Sequence, residues 1–384
     1  MFLKSWVVEI LAEVPRTGLA FHPAFRQGVR VMADVSELER QARELLPPEV
    51  YEYYAGGSGS EVTLRANEEA WRRVRFLPRV LRDVSAVATS VQLGAPLNLE
   101  LRTPVAVAPT AYHRLAHPAG EAATAAGAAR AGALFVLSSR CSRRIEEVAD
   151  AVAGDAGSWW FQVYMMRERE LTAGLVRRAA AAGAQALVLT GDTPVVGRRA
   201  LMPGAGVISG RDWEDNLGPL DDLSRAQIVP ASLDDIGWLA EISGGLPVVV
   251  KGVLRADDTA ACLAAGAAGV IVSNHGGRQL DQALPTALAL PAVRAASGSG
   301  PVFVDGGVRS AESVLAGLAL GASLVFVGRP VLWALACGGA DGVQAWLEDL
   351  TARLAHVMAL AGAVSAAAVP GLGTVADPVT GPAG

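Results

Sequence analysis

The stretch Ser273-Asn274-His275-Gly276-Gly277-Arg278-Gln279-Leu280-Asp281 sets a histidine three residues before an arginine, in a loop softened by two glycines. Histidine is the side chain that ordinarily titrates nearest neutral pH. Arginine offers a permanent cation with a planar fork of donors. A base beside a carboxylate clamp is the equipment for taking a proton or hydride from the carbon next to a carboxylate. The glycines let backbone approach a ligand closely. A polar surface loop in which His275 only caps a turn would carry the same letters, so the rest of the chain has to decide.

The elements that position this loop come next. It follows Ala268-Gly269-Val270-Ile271-Val272, a β-branched apolar run that reads as a buried strand. Eight such runs, at 104–108, 133–137, 158–163, 186–190, 246–250, 269–273, 301–305 and 323–327, alternate with Ala-rich helical segments. The alternation predicts an α/β fold: a single TIM (β/α)8 barrel within residues 32–365. Residues 36–46 and 61–73 predict an N-terminal helical segment, and 194–231 predicts a long loop after strand four. An open doubly wound sheet is the competitor, but it carries fewer strands and a phosphate loop after strand one. Gly56-Gly57-Ser58-Gly59 has neither the spacing nor the preceding strand for that.

Barrel enzymes place their chemistry at the C-terminal ends of the strands. Here those ends read Pro109-Thr110-Ala111, Ser138, Gln162 with Tyr164, Thr190 with Asp192, Lys251, Ser273 with His275, Asp305-Gly306-Gly307-Val308-Arg309 and Gly328-Arg329. Eight polar ends converge on one ring. A glycine-rich loop after strand seven and a Gly-Arg after strand eight suit a phosphate, through backbone N–H groups and arginine forks. Gln162, Thr190 and Ser138 suit the hydrogen-bonding edge of a planar ring, and Lys251 can hold negative charge near it. One heterocycle with one terminal phosphate describes FMN better than a dinucleotide.

Composition sets the outer limits. The 384 residues are 51% hydrophobic and 18% charged, with a net charge of −5, which gives no reason to expect nucleic acid as a partner. Three scattered cysteines, Cys141, Cys262 and Cys337, argue against a disulfide framework and for a reducing, cytoplasmic setting. No apolar run reaches the ~18 residues of a membrane span. Residues 1–31 read as an extension outside the barrel and 366–384 as a tail. His113 and His117 stand at a spacing zinc could use, but without a third ligand nearby the expectation is no metal.

On these residues the sequence resembles the FMN-dependent α-hydroxy acid oxidase/dehydrogenase family, whose members include glycolate, lactate and hydroxymandelate oxidases. Ser273–Asp281, Pro109-Thr110-Ala111, Phe161-Gln162-Val163-Tyr164, Lys251-Gly252 and Asp305-Gly306-Gly307 carry the likeness, over roughly residues 33 to 365. The resemblance implies His275 as catalytic base, Asp192 as its partner, and Arg278 with Arg199 as the carboxylate clamp. It implies that Tyr53 and Tyr164 contact substrate. FMN would be held by Pro109, Thr110, Ala111, Ser138, Gln162, Thr190, Lys251, Ser273, Asp305, Gly306, Gly307, Val308, Arg309, Gly328 and Arg329. It further implies oxidation of an L-2-hydroxy acid with O2 as acceptor and peroxide as product, in a soluble homo-oligomer, tetramer or octamer. Tyr112 and Arg140 differ from glycolate oxidase and favour an aromatic substrate. Gly191, where a bulkier residue is usual, should affect packing only. A dehydrogenase using a quinone or protein acceptor, a non-redox FMN barrel isomerase and a flavin-binding protein without activity remain as rivals.

Overall fold

The computed structural model describes residues 34–155, 157–197, 214–217 and 223–376. The extension at 1–31, Arg199 and most of the 194–231 loop lie outside them. Eight parallel strands close into a barrel: β1 (Val105–Val107), β2 (Leu134–Ser138), β3 (Trp159–Val163), β4 (Leu187–Thr190), β5 (Val248–Val253), β6 (Gly269–Val272), β7 (Val302–Val304) and β8 (Leu324–Val327). Each pairs with its neighbours in sequence, and β8 closes on β1. The expected TIM barrel is the fold.

Both faces of these strands are buried, so the apolar runs look continuous, yet the period of two survives in the packing. Ala106, Val136, Trp160, Val188, Val249, Ile271, Phe303 and Phe326 fill the barrel interior. Their neighbours in sequence pack outward under the helices. Trp160, Phe303 and Phe326 meet with ring centroids 5.7 to 6.4 Å apart and make a solid floor. Two residues further along each strand, the same inward direction is taken by Ala108, Ser138, Gln162, Thr190, Lys251, Ser273, Asp305 and Gly328. Six of these eight are polar, so the next layer of the barrel is a largely polar ring laid on an apolar plug.

Three helices precede the barrel: α1 (Val35–Leu45), α2 (Pro48–Ala55) and α3 (Val62–Arg72). The first and third match the expected helices. The second was not expected; Pro48 opens it at a position where its missing N–H costs nothing, and it buries Val50, Tyr53 and Tyr54. The α3 N-terminus has no cap of its own. Asp281, at the end of the signature loop, supplies one by accepting from Thr63 N and Ser60 N, each at 2.9 Å. A short antiparallel pair, Val91–Leu93 with Leu99–Leu101, packs its leucines on the barrel interior from the opposite end. Within the region read as a tail, Gly373–Ala376 pairs antiparallel with Val74–Leu77. Among the described residues no helix is long and apolar enough to cross a membrane.

Candidate active site

The strand ends surround an open cavity at the mouth of the barrel. Its wall includes Pro109, Thr110, Ala111, Ser138, Lys251 and the Asp305–Arg309 loop, with Gly328, Arg329, Tyr53, Tyr164, His275 and Arg278. Gln162, Thr190, Ser273 and Asp192 stand directly behind it. Ser138 Oγ donates to Gln162 Oε1 at 3.0 Å, and Gln162 Nε2 donates to Thr190 Oγ1 at 2.8 Å. All three are nearly inaccessible, so each hydrogen bond is needed to offset burial, and the amide orientation is fixed.

Lys251 sits beside a bulge: the β5 register shifts between Lys251 and Val253, across Gly252 at φ +108°. The ammonium is 3.1 Å from Asp305 Oδ2 and donates to Ser273 Oγ at 2.9 Å. Burial alone would push the lysine down, but Asp305 and then Asp192 outweigh it and hold the lysine above its ordinary range. It stays charged. Asp305 Oδ1 is buried without a protein partner among the described residues.

His275 adopts a left-handed backbone at φ +58°, rare for a residue with a side chain, between Asn274, whose side chain accepts from Gly277 N, and Gly276. Its Nδ1 is 3.0 Å from Asp192 Oδ1 and its Nε2 is 3.2 Å from the Tyr164 hydroxyl. Burial pushes the Asp192 carboxyl up, but His275 and Lys251 draw it below the ordinary aspartate range. Burial, then the Asp192 charge, pushes the Tyr164 phenol well up, so it remains a neutral donor.

Arg278 and Arg329 converge on the C-terminal end of α2, where carbonyls lack helical partners. Arg278 Nη1 donates to Tyr53 O at 2.7 Å and Gly56 O at 3.1 Å. Arg329 donates to Tyr54 O at 2.9 Å, Gly56 O at 3.1 Å and Gly276 O at 3.1 Å. These bonds bring Tyr53 to the cavity, with the Arg278 guanidinium 5.1 Å from its ring centroid. Arg309 Nη2 meets Glu68 at 2.9 Å.

A family model described as FMN-dependent dehydrogenase matches residues 42–371. The chain belongs to this family. It is 42% identical over 356 residues to 4-hydroxymandelate oxidase of Amycolatopsis orientalis, covering 88% of this chain and 97% of that one. It is 41% identical over 358 residues to glycolate oxidase 3 of Oryza sativa subsp. indica, covering 89% and 95%. A crystal structure of mandelate oxidase with (S)-4-hydroxymandelic acid superimposes with a TM-score of 0.81 at 39% identity, covering 90% of this chain and 99% of that one.

The cavity fits the cofactor of an FMN-dependent enzyme. Gly306 and Gly307, at φ +89° and +78°, turn the loop after β7 so tightly that a Cβ on Gly307 would lie 2.6 Å from the Asn67 backbone. With Arg309 they form a corner that has glycine backbone on one side and a guanidinium on the other. The lone Asp305 oxygen is an acceptor for hydroxyls, and the polar ring offers both donors and acceptors.

Tyr112 N donates to Arg140 O at 3.2 Å, and the Tyr112 ring centroid lies 6.1 Å from that of Tyr53. His113 spends both ring nitrogens on threonines, 2.6 Å to Thr110 Oγ1 and 2.8 Å to Thr124 Oγ1, and burial lowers its pKa. It props the Pro109–Ala111 loop. Sequence reading missed Tyr54, Asn67, Glu68 and Trp71, all of which touch the site or its loops. Tyr54 carried a signal, its place in a close run of tyrosines with Tyr51 and Tyr53. Asn67 carried only a weak one: a polar residue on the stripe Thr63, Asn67, Ala70, Trp71 that α3 buries.

Proposed function

We propose that this protein oxidises an (S)-2-hydroxy acid to the 2-oxo acid with FMN, O2 taking the electrons and leaving as hydrogen peroxide, and that its preferred substrates are aromatic, of the mandelate type. The observation that carries the reading is His275, set between Asp192 and Tyr164, facing the same cavity as Arg278.

Arg278, with Arg199, holds the substrate carboxylate, and Tyr53 and Tyr164 contact the substrate. Asp192 accepts from Nδ1–H of His275, which directs the free lone pair of the imidazole to Nε2 on the cavity side. Nε2 takes the proton as the C–H bond breaks, and Asp192 stabilises the imidazolium that results. Bound FMN supplies the two-electron acceptor. Ser138, Gln162, Thr190, Lys251 and the Pro109–Ala111 loop would hold its ring, with Ser273 and Asp305 supporting Lys251. Gly306, Gly307, Val308, Arg309, Gly328 and Arg329 would hold its phosphate. The electrons, two from each substrate, reappear in one peroxide per 2-oxo acid.

Glycolate, lactate, mandelate and 4-hydroxymandelate, each mixed anaerobically with the purified protein, test the substrate class through bleaching of the flavin absorbance. Peroxide measured under air tests the acceptor. A kcat/KM for glycolate above that for mandelate overturns the aromatic preference. Bleaching without stoichiometric peroxide points to the dehydrogenase instead.

A further inference from the structure

Glu68 projects from α3 toward the Gly306–Arg309 corner, and its carboxylate accepts from Arg309 Nη2 at 2.9 Å. The pair is partly sheltered, with 31% and 19% of the two side chains exposed. Arg309 turns its other terminal nitrogen onto Val308 O at 2.9 Å. Three guanidinium groups crowd this end of the cavity. Burial, then Arg278 and Arg309, pulls Arg329 down to about 9, while Glu68 and Glu39 push it back up. Arg309 and Arg329 also line an outer cleft that Glu39, Glu68 and Glu69 line with them. The carboxylates thus reach the arginines from outside, whereas Gly306, Gly307 and Thr110 face them from the cavity.

We propose that Glu68 is a built-in counter-ion for the phosphate corner, balancing Arg309 in the flavin-free protein and opposing the cofactor's phosphate in the loaded one. The proposal rests on the reading of Arg309 as a phosphate ligand. A partly exposed ion pair contributes less than the charge-assisted, bidentate hydrogen bonds by which a guanidinium binds a phosphate. The phosphate therefore wins Arg309, and Glu68 is left as a like charge one guanidinium away. Because Glu68 stabilises the flavin-free state more than the loaded one, it lowers the affinity for FMN. Removing its charge raises that affinity.

The test is release and rebinding of FMN by the full-length protein, followed by flavin fluorescence, for the parent, Glu68→Gln and Glu68→Ala. Riboflavin, which lacks the phosphate, is titrated in parallel. Glu69→Gln is the control, since it makes the same charge change on the same helix but Glu69 pairs with Arg73 at 3.0 Å. Both Glu68 variants should bind FMN roughly three- to tenfold more tightly, with riboflavin and the Glu69→Gln variant within about twofold of the parent. Their flavin-free forms should melt earlier and gain more from added FMN. Unchanged or weaker FMN binding overturns the proposal, as does equal tightening toward riboflavin. A parent protein with no preference for FMN over riboflavin instead removes the phosphate reading of Arg309, and the proposal falls with it.

Discussion

Asn67 and Asn274 exchange a pair of amide hydrogen bonds, 2.9 and 2.8 Å long, across 207 residues of sequence. Both are almost wholly buried, at 1% and 4% exposure. Asn67 Oδ1 also accepts from Thr286 N at 3.3 Å, and its backbone lies against Gly307. One residue of α3 therefore fixes the distance between the loop that carries His275 and the loop proposed to hold phosphate. Trp71, a turn further on, donates to Gly306 O at 2.7 Å, and Asp281 pins the far end of the signature loop to the start of the same helix. The helix acts as a splint.

Asn67→Ala should consequently disturb both loops at once. Each buried partner left without its hydrogen bond costs about 1–3 kcal/mol. The expected outcome is a lower melting temperature together with weaker FMN retention and slower flavin bleaching in the FMN-saturated protein. A variant that loses stability but bleaches at the parental rate shows that α3 supports the fold and not the site.

Two neighbouring glycines should respond in opposite ways to alanine. At Gly191 the new Cβ meets Lys251 O at 3.5 Å and Val250 Cγ1 at 3.7 Å, ordinary contacts. At Gly252, with φ +108°, it lies 2.5 Å from Asp192 Cβ and 2.6 Å from its Cγ. Gly191→Ala should leave the bleaching rate within about twofold, because a Cβ in ordinary contact costs little. Gly252→Ala should displace the carboxylate that holds His275 and slow bleaching at least tenfold, on top of about 1–2 kcal/mol for the left-handed backbone. Parallel rates in the two variants contradict the placement of Asp192.

Much of this architecture was legible from the chain because barrel chemistry obeys two simple periodicities. The eight strand runs, and the polar residue ending each, follow from alternation plus the rule that sites sit at the C-terminal ends. Buried faces on both sides hid the period of two inside those runs, so the layer formed by Ala106, Trp160 and Phe326 emerges only from packing. What α3 does was not legible: Asn67 meets Asn274 through tertiary contact, and no local pattern in Arg65-Ala66-Asn67-Glu68 records it. Helix α2 was hidden for a similar reason, since the arginines that bind its last carbonyls, Arg278 and Arg329, come from segments distant in sequence.

Asp192 should not titrate in the working pH range. Burial raises its carboxyl, but His275 and Lys251 draw it below the ordinary value of 3.8. A carboxylate with a depressed folded pKa contributes stability that is complete above its unfolded pKa and is lost as pH falls through the folded one. The stability advantage of the parent over Asp192→Asn should therefore survive acidification from about pH 5 to 3.8, the ordinary aspartate value, and be lost below it. Denaturant midpoints across that range check it. At neutral pH the same substitution should slow bleaching by about 10- to 100-fold, the loss of one charge-assisted hydrogen bond.

Arg309→Ala should weaken FMN by about tenfold or more, since a charge-assisted hydrogen bond contributes ~1.5–3 kcal/mol. Riboflavin binding should hardly change. An equal loss for both flavins places Arg309 away from the phosphate, and the corner formed by Gly306 and Gly307 then needs another occupant.

The pair that bears most on the mechanism is His275 and Arg278. His275→Gln keeps size and some hydrogen bonding but removes the base, which typically costs ~10²–10⁴-fold in rate. Bleaching by mandelate or lactate should fall by that factor while FMN stays bound, because His275 is not among the groups proposed to hold it. Arg278→Met has a different signature. Its guanidinium is bonded to the carbonyls of Tyr53, Tyr54 and Gly56, so the change loosens α2 as well as the proposed carboxylate clamp. KM should rise, and kcat should fall because orientation suffers. Arg278→Lys should recover part of the KM and little of the α2 anchoring, since one ammonium cannot reach three carbonyls and a carboxylate as a planar fork can. If His275→Gln bleached at the parental rate, Nε2 would not be the proton acceptor. The strained φ of His275 and its hydrogen bond to Asp192 would then have to be explained by loop geometry alone.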